Sequence, residues 1–284
     1  MALDSLNVSK NIPLDQKLWR YMKPERLIQI LETRQLYFSS LMEYTSSDPY
    51  EGNFPKIVLR KVGEIFQSTR KSMSEHRELI ENNTFQKFPD IPIYIKDKLR
   101  EELEKITNKY EPMEDIFFKI IKSSVVNCWH QNDCESEAMW RLYANKGIAI
   151  QTTADNLIQS IDNPIVSFSE VKYIDFNDQN LTLNDCLHQN GLNPLLKRLE
   201  FKHEQEARLY FCPTRDYLDK NLEKQSLCVD VDTSRLISKV YISPYISEST
   251  AKKIKRKIKK LGVREENIIF SDLLKIDQDQ TNLY

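Results

Sequence analysis

Residues 204–208 read Glu204-Gln205-Glu206-Ala207-Arg208, two carboxylates and a guanidinium at every second position. On an extended segment alternate side chains share a face, so this spacing predicts the three charges side by side. Glu206 and Glu204 are the candidate catalytic pair, dividing charge stabilisation and general-base work, with Arg208 keeping a carboxylate ionised near neutral pH. A structural ion-pair ladder at a sheet edge uses the same spacing. Arg20 is bracketed by Trp19 and Tyr21, which must lie on the opposite face. It suits bidentate contact with a phosphate, or reaches solvent or an acid. Asp48 and Glu51 lie in turn chemistry, where they cap backbone groups or, with Glu204 and Glu206, supply the clustered oxygens of a Mg²⁺-dependent nuclease. Cys128, His130 and Cys134 stand close in sequence, yet no second Cys/His pair has zinc spacing, and no metal is expected. A Cys–His nucleophile is equally unsupported, and His76, His188 and His203 define no site.

A third kind of chemistry is electrostatic. In 252–260 the chain reads KKIKRKIKK, with Ile254, Ile258 and Leu261 at helical spacing, so one face packs and the rest is cationic. Lys252, Lys253, Lys255, Arg256 and Lys259 are the candidate nucleic-acid contacts, against the alternative of a solvated face. No aromatic is interleaved, so single-strand base stacking within this run is unsupported.

These residues need elements to hold them. Alternation over Lys17–Met22 predicts a strand, Pro24 opens a helix carrying Leu27, Ile28, Ile30 and Leu31, and 36–40 forms a second strand. Ser46 to Gly52 is a turn. Residues 56–122 read as helical, broken by Pro89, Pro92 and Pro112. Strand character returns at 123–130, a short helix is expected over 135–144 with Met139, Trp140, Leu142 and Tyr143 as its apolar stripe, and a strand over 148–152. Further strands are expected over 165–168, 171–176, 207–211, 227–231 and 239–242, with a helix over 195–201. A strand, helix and strand close the chain (240–242, 250–261, 268–270). Irregular mixing of strands and helices predicts α+β with mixed, mainly antiparallel sheets and flanking helices. The organisation expected is a single domain over 1–284, with a helical insertion at 53–122 and a closing unit at 239–271.

Composition narrows the class. Among 284 residues the hydrophobic share is 40% and the charged share 29%, which excludes a disordered or collagen-like chain. Lys+Arg 41 against Asp+Glu 42 leaves a net charge of -1, so only local clusters attract nucleic acid. Five glycines are too few for glycine-rich dinucleotide or phosphate loops. Five scattered cysteines without a C-x-x-C pair, no secretory pattern over 1–13 and no long apolar run predict a cytoplasmic protein with no membrane association.

Four segments resemble the bacterial family called domain of unknown function 2971. They are Leu18-Trp19-Arg20-Tyr21 with the 36–40 strand; Asp48-Pro49-Tyr50-Glu51; Cys128-Trp129 with Met139-Trp140-Arg141-Leu142-Tyr143-Ala144 and Lys146-Gly147; and Glu204-Gln205-Glu206-Ala207-Arg208. Ser47, His130 and Ala207 depart from the residues usual there. More distantly, a basic residue on the first strand, a Tyr/Ser-bearing strand and a late Glu-x-Glu resemble the ADP-ribosyltransferase fold. That resemblance implies an ADP-ribosyltransferase-like core in which Arg20 and Tyr21 contact NAD, with Tyr37, Ser39, Ser40, Trp140 and Tyr143 around it. Glu206 would be catalytic and Glu204 its partner. It implies an enzyme that transfers ADP-ribose from NAD to a macromolecule, whether RNA, DNA or protein, in a toxin or phage-defence setting. The alternatives are a non-catalytic nucleotide- or nucleic-acid-binding module of the same fold, and the metal-dependent nuclease. The transferase reading requires Arg20 and Glu206 to meet in one hollow.

Overall fold

The computed structural model describes residues 7–8, 11–108, 119, 122–187, 194–213 and 226–275; Pro112 and His188 lie outside them. Twelve strands are described: β1 (Asn7–Val8), β2 (Lys17–Met22), β3 (Gln35–Ser40), β4 (Val125–Gln131), β5 (Ile148–Thr153), β6 (Ser167–Glu170), β7 (Lys172–Ile174), β8 (Leu196–Arg198), β9 (Glu206–Phe211), β10 (Leu227–Asp230), β11 (Lys239–Ile242) and β12 (Ile268–Phe270). The helices are α1 (Pro24–Thr33), α2 (Lys56–Lys87), α3 (Ile93–Asn108), α4 (Glu137–Tyr143), α5 (Ala154–Gln159), α6 (Leu183–Cys186), α7 (Thr233–Leu236) and α8 (Glu248–Lys260).

The main sheet runs β1-β6-β9-β4-β2-β5-β11-β12, with β3 attached to β4 and β10 to β3. The β1–β6 and β11–β12 pairs are parallel and the other pairs of this sheet antiparallel; β7 and β8 form a separate parallel pair. The fold is therefore α+β with a mixed, mostly antiparallel sheet and flanking helices. Leu18, Met22, Leu27, Phe38, Trp129, Ile150 and Leu209 belong to the main apolar core. Trp19, Tyr21, Met139 and Trp140 pack in a second cluster.

One feature of this sheet positions the candidate site. The start of β4 pairs with β3 (Ser39↔Val126, Ser40↔Val125), while its end pairs with β2 (Trp19↔His130, Leu18↔Gln131). The other edge of β4 is taken by β9 along its length. β2 and β3 must therefore share one edge and diverge along it, so the sheet forks. α1 bridges the fork, opened by Pro24 in the first turn, where its missing N–H costs no hydrogen bond, and closed by Arg34 at φ 54°. Neither strand pairs with the other across the gap, which leaves a cleft.

Most expected elements stand where periodicity puts them, with three corrections. Residues 195–201 are not a helix: β8 is followed by a 3-10 helix over Leu199–Glu204. That helix ends at Gln205, in the left-handed region at φ 45°, so Glu204 lies before the strand and not on it. The expected stripe of α4 also splits: Met139 and Trp140 are buried, while Leu142 and Tyr143 are 58% and 44% exposed.

Helix α2 buries Ile57, Val58 and Val62 in its first two turns and is then largely exposed, as Leu79 and Ile80 show. α3 packs back on it after the break at Pro89 and Pro92, with Arg100 Nε 2.5 Å from Glu81. No helix among the described residues is long and apolar enough to cross a membrane.

Candidate functional site

Two charged regions adjoin at β4, with the Tyr21 ring of the first 5.8 Å from His130 at the edge of the second. The register aligns Trp19, His130 and Glu206 across β2, β4 and β9, so these side chains share a face. Arg20, one residue on from Trp19, projects to the other face and lies over the Trp129 ring, 5.8 Å from its centroid. Cys128 and His130 of β4 nevertheless interact electrostatically with both Arg20 and Glu206, so the two residues that the transferase reading needs in one hollow flank the same end of β4.

The first region is the fork cleft, a cavity of about 180 Å³ lined by Arg20, Tyr21, Arg26, Gln35, Tyr37 and Ser39 among others. Tyr21 accepts a hydrogen bond from the Ser136 N–H (2.8 Å), and Tyr37 donates to Glu43 Oε1 (3.1 Å). Arg26 lies over the Tyr37 ring at 5.9 Å and donates to Gln29. Among the described residues neither Arg20 nor Arg26 forms an ion pair with a carboxylate. Burial pulls the Arg20 pKa down and the neighbouring Arg26 guanidinium adds to this, against the opposing effects of Tyr44 and Cys128. Two guanidiniums of like charge thus converge on a partly buried space without a counterion.

The second region is a buried ion cluster. Glu206 accepts from Lys197 Nζ (2.9 Å) and from Arg208 Nε (2.6 Å), while its backbone N–H donates to Tyr173 Oη (2.8 Å). Arg208 also pairs with Glu51 (2.8 Å) and donates to the Pro194 carbonyl (2.7 Å). Lys197 donates to Glu204, whose other oxygen accepts from Tyr143 Oη at 2.6 Å. At the margin Arg198 pairs with Asp48 (2.8 Å), and the Tyr50 N–H donates to Asp48 Oδ1 (3.0 Å). Glu204, Glu206, Arg208 and Lys197 are all at most 6% exposed.

Burial pushes on every group here, and neighbouring charge decides the outcome. Desolvation acts to raise the Glu206 pKa, but Arg208 and Lys197 together hold it well below the usual carboxylate range. Glu204 is pushed up to about 7, first by burial and then by its neighbour Glu206. Desolvation lowers the His130 pKa; its Nδ1 lies 2.7 Å from the Glu204 carbonyl oxygen. Cys128 is pushed up to about 12 by burial, so its thiol stays protonated at neutral pH.

The sequence-predicted residues divide between these places. Arg20, Tyr21, Tyr37 and Ser39 meet in the fork cleft. Ser40 instead accepts from the Met42 N–H and donates to the Lys122 carbonyl, capping a 3-10 turn. Trp140 is fully buried, donating to Glu135 and packing edge-on against Tyr21 at 5.0 Å. Tyr143 belongs to the Glu204 side. The carboxylates of the nuclease reading do gather, but Lys197, Arg208 and Arg198 pair with them, with Asp48 Oδ2 left buried without a hydrogen bond among the described residues. Among the described residues no group of three or more His, Cys, Asp and Glu could hold a metal ion.

Of the predicted basic strip, Lys252 pairs with Glu248, and Lys255 and Lys259 pair with Glu265. Sequence reasoning missed Lys197, the centre of the ion cluster, and Arg26. Lys197 follows the buried Leu195 and Leu196, but Arg198 and Glu200 follow it, so no local signal singles it out.

A family model described as "Protein of unknown function (DUF2971)" matches residues 139–209. The segment from α4 through most of β9 is thus similar to that family, as the sequence motifs indicated, and it carries Lys197, Glu204, Glu206 and Arg208. No curated protein and no solved structure matches the chain.

Proposed function

We propose that the chain is a nucleotide-binding protein whose fork cleft takes the phosphate-bearing end of NAD or a related nucleotide. The observation that carries this reading is the convergence of Arg20 and Arg26 on one cleft without a carboxylate partner. A bound phosphate would offset the cost of holding those charges together through bidentate, charge-assisted hydrogen bonds. Tyr37 and Ser39 stand on the same wall to meet a ribose or pyrophosphate oxygen. A cavity of about 180 Å³ is smaller than the roughly 300–1,000 Å³ of whole-ligand sites, so it suits one end of a dinucleotide.

ADP-ribosyl transfer asks more of the molecule. A carboxylate must reach the ribose where positive charge develops as the nicotinamide bond breaks. Glu206 has its oxygens engaged by Lys197 and Arg208, which favours binding over transfer.

The test is calorimetric titration of NAD, ADP-ribose and ADP into the wild type, Arg20→Ala and Arg20→Lys, beside an assay of NAD consumption with cell extract or nucleic acid. Saturable binding, strongly weakened in both variants, with NAD left intact is the expected result. NAD cleavage or label transfer by the wild type would replace this reading with the transferase one. Absence of binding would remove the cleft as a nucleotide site.

A further inference from the structure

The closing helix α8 does not present its lysines as one phosphate track. Lys252 is paired with Glu248, and Lys255 and Lys259 share Glu265, so two carboxylates reduce the pull of this side on a nucleic-acid backbone. The remaining face behaves differently. Lys253 and Lys257 line a groove of about 650 Å³ formed by α8, the start of α1 and the end of α4, where Lys23 and Lys146 join them. Among the described residues none of these four lysines forms an ion pair. Glu25 is the single carboxylate in the lining, and Arg141 is held by Glu137. The floor is aliphatic: Pro24, Ile28, Leu142 and Ile254, with Leu142 58% exposed. An apolar floor under an uncompensated cationic rim is an interaction surface left open.

We infer that this groove docks an acidic segment of a protein partner that carries aliphatic side chains, its carboxylates on the lysine rim and its apolar residues on the Leu142–Ile254 floor. Charge complementarity sets the sign of the partner. The chemistry of the lining selects peptide over single-stranded nucleic acid. Base stacking needs aromatic or guanidinium planes. The groove offers one ring, Tyr143, tied to Glu204 and tilted against His130 at 5.4 Å, and one guanidinium already engaged. Lysine ammonium groups are point charges without the planar fork that recognises phosphate bidentately, and they serve carboxylates equally well.

The inference is independent of the fork cleft, and its experiment separates the two. A short fluorescein-labelled peptide alternating Glu and Leu is titrated by anisotropy against the full chain, with a Gln/Leu peptide and a labelled single-stranded oligonucleotide as competing probes. Saturable binding of the Glu/Leu peptide is expected. It should weaken about tenfold or more in Lys253→Glu/Lys257→Glu and in Leu142→Asp, fall with added salt, and persist in Arg20→Ala. Because all three groove positions are exposed, these variants should keep the wild-type circular dichroism spectrum. Equal binding of the Gln/Leu peptide would overturn the charge argument. Tighter binding of the oligonucleotide, lost in the lysine variant, would replace the peptide with nucleic acid. Absence of binding by all three probes would overturn the docking site.

Discussion

The fork cleft and the buried ion cluster contain the same chemical groups in opposite states. In the cluster every cation has an acid: Lys197 and Arg208 are matched by Glu51, Glu204 and Glu206, while at the margin Asp48 Oδ2 and Arg198 Nε are buried without a hydrogen bond among the described residues. In the cleft Arg20 and Arg26 face each other with polar and aromatic walls but no carboxylate. A buried network of paired charges holds strands together. An unmatched pair costs stability in the empty protein and returns it when an anion arrives. Strongly perturbed titration marks both regions, so perturbation alone does not separate a site from a strut; the presence or absence of an internal counterion does.

Substitutions that remove a charge should therefore act in opposite ways in the two regions. The largest effect is expected for Glu206→Gln. It leaves Arg208 and Lys197 short of a counterion in the interior and should cost about 3–5 kcal/mol in denaturant unfolding, the usual range for breaking a buried pair. A near-neutral result would show that the cluster is not a structural network. Arg20→Ala should do the reverse, keeping or slightly raising stability while weakening nucleotide binding about tenfold to a hundredfold, as loss of a charged hydrogen bond does. Equal losses of stability at the two positions would erase the distinction drawn between them.

The pH dependence follows from the carboxylate pair. Glu204 has a folded pKa of about 7 against an ordinary 4.5, so the stability it contributes is full below about 4.5 and is lost as pH rises through 7. Glu206 has a depressed folded pKa, so its contribution is present above 4.5 and is lost as pH falls through that lowered value. Thermal unfolding across pH should give a maximum near 4.5 and a decline from there to about 7. Glu204→Gln should flatten the alkaline side, because its amide cannot ionise. An unchanged alkaline slope in that variant would move the effect to another group. The smallest change is expected for Arg26→Ala, where an exposed side chain leaves the cleft: a few-fold weaker nucleotide binding, read in the same titration, with no measurable change in unfolding.

Much of this architecture is legible in local pattern. Alternation marks Lys17–Met22 as a strand and places Arg20 opposite Trp19 and Tyr21, Pro24 marks the start of α1, and the prolines at 89 and 92 mark the break between α2 and α3. The Glu-x-Glu-x-Arg spacing marks a charged cluster, though its geometry differs from a plain strand. Gln205 in the left-handed region removes Glu204 from β9 and still brings its carboxylate to Lys197. No local rule places Lys197 at the centre, since its partners come from residues 51, 204 and 206.

Residue order thus specified periods, breaks and charge spacing, because these depend on neighbours a few positions apart. Which face of the sheet each charge occupies relative to the others was decided by strand pairing. Arg20 and Glu206 are 186 positions apart, and the alignment of β2, β4 and β9 brings both to the end of β4 around His130. The same long-range pairing forks the sheet at β4 and so leaves two arginines without a counterion, an arrangement that comes from contacts between distant segments and leaves no local trace.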